Sequence, residues 1–91
     1  MSFISCARVS SMGKMSGLDY SIGVSGIEYM SPCYDGRFKT EVLMKGDIWP
    51  VFVTQSIDEL MQLDGMNKEA EIYISSTKQY VKYDEYKKSS E

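Results

Sequence analysis

The sequence predicts an α+β domain, a mostly antiparallel β-meander with one short helix packed on the sheet. Three observations carry that prediction. Apolar residues recur at every second position through much of the chain, the period of a half-buried strand. Glycine turns punctuate the alternation at Asp35-Gly36 and Lys45-Gly46-Asp47. One helix start stands out, at Ser56-Ile57-Asp58-Glu59. Nothing resembles a strand–helix–strand crossover with a long helix, so neighbouring strands are expected to pair antiparallel.

Phe3 to Val9 reads as a first strand, followed by a Ser/Gly-rich loop from Ser10 to Gly17. Leu18, Tyr20, Ile22 and Val24 then alternate with Asp19, Ser21 and Gly23, the pattern of a half-buried strand. Ser25-Gly26 marks a turn or bulge, after which Ile27 and Tyr29 resume the alternation and Pro32 follows. Asp35-Gly36 is a hairpin signal, because a type I′ turn needs positive φ and glycine supplies it without Cβ strain. Phe38, Thr40, Val42 and Met44 form one face of the next strand, against Lys39, Glu41 and Lys45.

Ile48-Trp49-Pro50-Val51-Phe52-Val53 is almost continuously apolar, which suggests cover on both faces. Pro50 cannot donate to a ladder, so this strand is expected at a sheet edge or bulge, partly covered by the helix. At Ser56 the pattern is a capping box: the hydroxyl accepts from the Glu59 amide and the Glu59 carboxylate accepts from the Ser56 amide. Ile57, Leu60 and Met61 follow at helical spacing, and Gly65 is placed to end the turn in a left-handed conformation. Two turns are too short to stand alone, so the helix must pack on the sheet.

Glu71–Ser75 is a further strand with Ile72 and Ile74 inward, and Ser75 to Lys78 forms the turn of a terminal hairpin. Residues 79–83 read as its second strand on their β-propensity. Tyr80, Tyr83 and Lys87 also share a helical face, so a terminal helix over 79–86 is the alternative. Lys87 to Glu91 is a short polar tail expected to fray.

Composition excludes several function classes. The chain has 91 residues, a formal charge of -3 and no histidine. Residues 1–91 therefore read as a single domain. Without imidazole there is no Ser-His or Cys-His nucleophile and no imidazole metal ligand. Cys6 and Cys33 are too few for a zinc site and are expected as two reduced thiols, a single disulfide closing a long loop being the alternative. Gly13-Lys14 is followed by Met15 with no glycine at the required upstream spacing, and Gly23-Val24-Ser25-Gly26 opens no helix, so neither phosphate-binding fingerprint is present. Asp58 and Glu59 belong to the helix cap, while Glu69, Glu71 and Asp84 read as solvated surface rather than a catalytic or metal dyad. Cys33 has no histidine to serve as base and reads as passive. No catalytic residue, metal or cofactor is expected.

Partner binding is the expectation that remains. Tyr73, Tyr80, Tyr83 and Tyr86 are interleaved with Lys78, Lys82, Lys87 and Lys88, a local basic-aromatic strip in an acidic chain. Trp49 and Phe52 add large aromatic surface, and seven methionines add adaptable apolar surface. The candidate partner-binding residues are thus Trp49, Phe52, Tyr73, Tyr80, Tyr83, Tyr86 and Lys82. The expected activity is that of a small non-catalytic protein that binds and modulates or inhibits another protein or protein–nucleic-acid complex. Small acidic inhibitors such as those phages direct against host nucleases or defence complexes share this physical description. The alternatives are single-stranded nucleic-acid binding through the Tyr/Lys strip, and a structural part in a larger assembly, including a homodimer through an edge strand. No apolar run reaches the ~18–20 residues that span a bilayer. No membrane association is expected, and the expected location is the cytoplasm, that of a host cell if the gene is viral.

Overall fold

In the computed structural model, which describes residues 2–89, the chain forms seven strands and two short helices. The strands are β1 (Phe3–Arg8), β2 (Tyr20–Gly23), β3 (Ile27–Asp35), β4 (Phe38–Met44), β5 (Val51–Val53), β6 (Glu71–Ile74) and β7 (Gln79–Val81). The helices are α1 (Ile57–Met61) and α2 (Tyr83–Ser89). One sheet contains all seven strands in the order β2-β1-β5-β4-β3-β6-β7.

That sheet is mixed, which corrects the expected meander. β6 runs parallel to β3, through Tyr29↔Glu71 and Met30↔Ile72. The connection from Thr54 to Ala70 carries α1 and delivers β6 beyond β4 and β3, so β5, α1 and β6 form a crossover. Parallel strands need a connection of a dozen or more residues, and this one meets that length with only five of them helical. Asn67 pins its far end: its Nδ2 donates to the Ile27 carbonyl at 2.9 Å and its Oδ1 accepts from the Glu69 amide at 3.1 Å.

The strand expected at an edge is interior. β5 pairs with β1 at Ala7↔Phe52 and Arg8↔Val51, and with β4 from Thr40↔Val53 to Val42↔Val51. Pro50 is compatible with this because the strand begins one residue after it, and Ile48 and Trp49 stay outside the ladder. The described edges are β2 and β7 instead. Pro32 does lie within β3, but β6 pairs only with Tyr29 and Met30, so its missing N–H removes no bond to β6.

Alternation places the core as expected in most strands. Ile4, Cys6, Ile22, Val42, Val51, Val53 and Ile72 pack with Ile57, Leu60 and Met61 of α1. Each fully buried aliphatic side chain contributes about 1.5–3 kcal/mol from its removal from water. A register shift between Ile27 and Tyr29 breaks the period, so Ile27 and Met30 are buried and Tyr29 turns outward with Glu71. The capping box forms as the sequence specifies, with Glu59 N–H to Ser56 Oγ and Ser56 N–H to Glu59 Oε1 both at 3.2 Å. The hydrogen bond from the Ser56 amide, with a further one from the Ser56 side chain, holds the Glu59 carboxyl below its ordinary pKa. Gly65 is left-handed at φ 82° but does not end the helix: α1 stops at Met61 with Gln62 as its C-cap, and the Lys68 ammonium donates to the Met61 carbonyl there.

The first hairpin turns one residue later than expected. Asp35 pairs with Phe38, so Gly36 and Arg37 are its central residues, and of the two only Gly36, at φ 64°, is left-handed. Positive φ at the first central position alone is the type II′ requirement, which glycine meets, rather than type I′.

The C-terminal segment divides the two expectations for it. β7 ends at Val81 and α2 begins at Tyr83. Asp84 and Glu85 lie in the first turn of α2 and Lys87 and Lys88 in its last, which matches the helix dipole. The tail expected to fray is helical through Ser89, while residues 90–91 lie outside the described residues. Among the described residues no helix is long and apolar enough to cross a membrane.

Candidate partner-binding cleft

A cleft of about 900 Å³ opens between the loop that follows β1 and the loop that joins β4 to β5. Local sequence builds both walls. On one side, Val9 bridges Met15 and the Ser/Gly-rich segment closes on itself. The Ser10 hydroxyl accepts from the amides of Met12 at 3.3 Å and Lys14 at 3.2 Å. Ser16 Oγ accepts from the Arg8 amide at 2.8 Å and donates to the Gly17 carbonyl at 2.9 Å. Short hydroxyl side chains thus satisfy backbone groups that a turn leaves unpaired.

On the other side, Gly46 at φ 85° reverses the chain after β4, with the Asp47 amide donating to the Met44 carbonyl at 3.1 Å. Pro50 fixes its own φ and biases Trp49 toward extended backbone. Ile48 and Trp49 are held between these two constraints and project from the rim, 81% and 76% exposed. Val9 is also exposed on the opposite wall, at 46%. Exposed apolar residues scattered singly are ordinary, but Val9, Ile48 and Trp49 line one cleft from two facing loops.

Arg8 and Tyr20 line the cleft from β1 and β2. The Arg8 guanidinium lies over the Tyr20 ring, 4.3 Å from its centroid, a cation–π contact that fixes both. Among the described residues Arg8 forms no ion pair. Asp47 is the carboxylate on the lining. Cys6, two residues before Arg8 in β1, is fully buried in the core. Burial pushes its thiol up to about 11, against a smaller opposing pull from Arg8. Both cysteines are free thiols, Cys6 buried and Cys33 half-buried.

Of the residues singled out by sequence, Trp49 alone lines this cleft. Phe52 is half-buried on β5, its ring 6.1 Å from that of Phe38. The Tyr/Lys strip is split between two places. The Tyr73 and Tyr80 rings lie 4.9 Å apart at a tilt of 51° on the β6–β7 hairpin, and Tyr80 meets Tyr29 edge-on at 5.2 Å. Tyr83 and Tyr86 turn instead onto the core from α2. The Tyr83 hydroxyl donates to Asp58 Oδ1, and first that bond and then burial push its pKa up to about 12. Burial chiefly raises Tyr86. Lys82 is 3.5 Å from the Glu69 carboxylate and also donates to the Glu69 carbonyl at 3.0 Å. Lys87 sits 3.9 Å from Asp58 and over the Tyr83 ring. The strip breaks because the chain changes from strand to helix at Lys82, which sends residues on either side to different surfaces.

Arg8, Tyr20, Val9 and Ile48 have no motif to announce them, since the topology assembles them from three separate segments. Among the described residues no three His, Cys, Asp or Glu side chains gather as a metal site. No family model, curated protein or solved structure matches this chain.

Proposed function

We propose that this chain is a small non-catalytic protein that binds another protein through the cleft rimmed by Trp49 and Ile48, modulating that partner by occluding its surface. The observation that carries this reading is the exposure of both side chains on a loop held by Gly46 and Pro50. Holding a tryptophan in water gives the fold nothing, whereas a partner gains a large rigid anchor at small entropic cost. The absence of imidazole in the sequence supports a mode of action by contact. Inhibition of a nuclease or defence complex is one form such occlusion takes. Single-strand binding through the Tyr/Lys strip has less support, because Lys82 and Lys87 already face carboxylates and the tyrosines are divided.

The test is affinity capture from the native cell with the full chain and its Trp49→Ala variant, followed by titration of the purified partner. The expected result is a partner whose affinity falls at least about thirty-fold with Trp49→Ala, the loss typical of an interface anchor. A partner held equally by both proteins refutes this surface. Sedimentation of the chain alone tests a homodimer as the occupant instead.

A further inference from the structure

We infer that the cleft takes a peptide segment of a partner protein in which a carboxylate side chain stands beside a large apolar one. The carboxylate pairs with Arg8 and the apolar group seats against Trp49 and Ile48. This rests on the partner-binding reading and adds the chemistry of the partner.

The argument begins with Arg8. Its backbone is fixed by the β5 ladder and by Ser16, and its guanidinium is held on the Tyr20 face, yet it has no ion-pair partner among the described residues. A guanidinium offers a planar fork of donors that matches a carboxylate, and stacking on a ring leaves its edge free for that bond. Because the side chain is already ordered, less rotamer entropy is lost when the pair forms. Trp49, Ile48, Val9 and Pro50 line the same cleft and supply its apolar surface. The cleft therefore places one cation among large hydrophobic contacts.

Charge decides between ligand classes. Among its described lining residues the cleft carries one cation, Arg8, and one carboxylate, Asp47. That arrangement suits a single negative charge and repels a polyanion, and a nucleic-acid strand needs a continuous cationic track. Met12, between the lining residues Ser11 and Gly13 but not itself on the lining, adds exposed apolar surface beside the cleft. A polymer that continues over the rim uses that surface, which a small molecule confined to the cleft does not.

The test is selection from a displayed library of random short peptides on the full-length protein, with Arg8→Gln and Trp49→Ala as parallel targets. Enriched peptides are expected to carry Asp or Glu next to an aromatic or long aliphatic residue. A synthesised member should bind the wild-type chain at least about ten-fold more tightly than Arg8→Gln, and lose as much when its own acid becomes the amide. The amide peptide leaves the protein untouched, so it answers the question even if Arg8→Gln is destabilised. Peptides that need Trp49 but tolerate both losses of charge overturn the pairing and leave the partner-binding reading intact. Absence of enrichment overturns the inference, as does tighter Arg8-dependent binding of a labelled oligothymidylate.

Discussion

Replacing Thr40 by valine tests how the helix is attached to the sheet. Thr40 lies in β4 with no exposed surface, and its hydroxyl donates to the Gln55 carbonyl at 2.7 Å. Gln55 immediately precedes the Ser56 cap, so this one bond ties the middle of the sheet to the first turn of α1. Valine has the same shape without the donor. A net hydrogen bond is worth about 0.5–1.5 kcal/mol, and leaving a part-buried carbonyl without a partner raises the loss toward about 1–3 kcal/mol. Valine offsets some of this through its extra apolar surface, which leaves an expected loss of about 1–2 kcal/mol. In a domain of this size that lowers Tm by roughly 4–16 °C. Thermal unfolding followed by circular dichroism measures it, and amide exchange across α1 should accelerate in the same variant. Because valine adds apolar surface, any fall is attributable to the missing hydrogen bond. An unchanged or higher Tm refutes the reasoning.

Three further outcomes follow from the same structure. Ser56→Ala removes the hydroxyl that receives the Glu59 amide and should cost about 1 kcal/mol in urea unfolding. Leu60→Ala empties a fully buried position between α1 and the sheet and should cost about 2–5 kcal/mol, the spread depending on how far the site collapses. Cys6 gives a pH dependence with a definite sign. The folded thiol holds its proton up to about 11, against an ordinary value of 9.0, so the stability it contributes is complete below pH 9 and is lost as pH rises through 11. Cys6→Ala should flatten that part of the stability profile, and a thiol reagent at neutral pH should label Cys33 while sparing Cys6 until the chain unfolds.

Local rules were legible in the sequence wherever one segment sufficed to satisfy them. The capping box at Ser56, the β4 alternation of Phe38, Thr40 and Val42, and the left-handed Gly65 all require only neighbours along the chain. The Ile48–Val53 run carries two opposing signals, apolar continuity and a proline, which taken together point to an edge strand. The structure separates them instead, by ending the loop at Pro50 and starting an interior strand at Val51. Tyr80 and Tyr83 are close in sequence, which suggests one continuous tyrosine surface. A helix start at Tyr83 sends them to different sides. Of the candidate site, Trp49 was legible as a large aromatic beside a proline, but Arg8 and Tyr20 were not, since a cation–π contact between two strands leaves no trace in either one.

By itself the sequence determined which segments extend, where the chain turns, which side chains leave water and which chemistries the absence of histidine removes. These follow from short-range sterics, hydrogen bonding and the side-chain period of two or 3.6. Tertiary structure alone decided that β6 enters parallel to β3, that β5 lies inside the sheet, and that Arg8, Tyr20 and Trp49 share a cleft. Each of those depends on where a long connection lands, and that is set by the packing of the whole core, from Asn67 on Ile27 to Leu60 beneath the strands, rather than by any stretch of neighbouring residues.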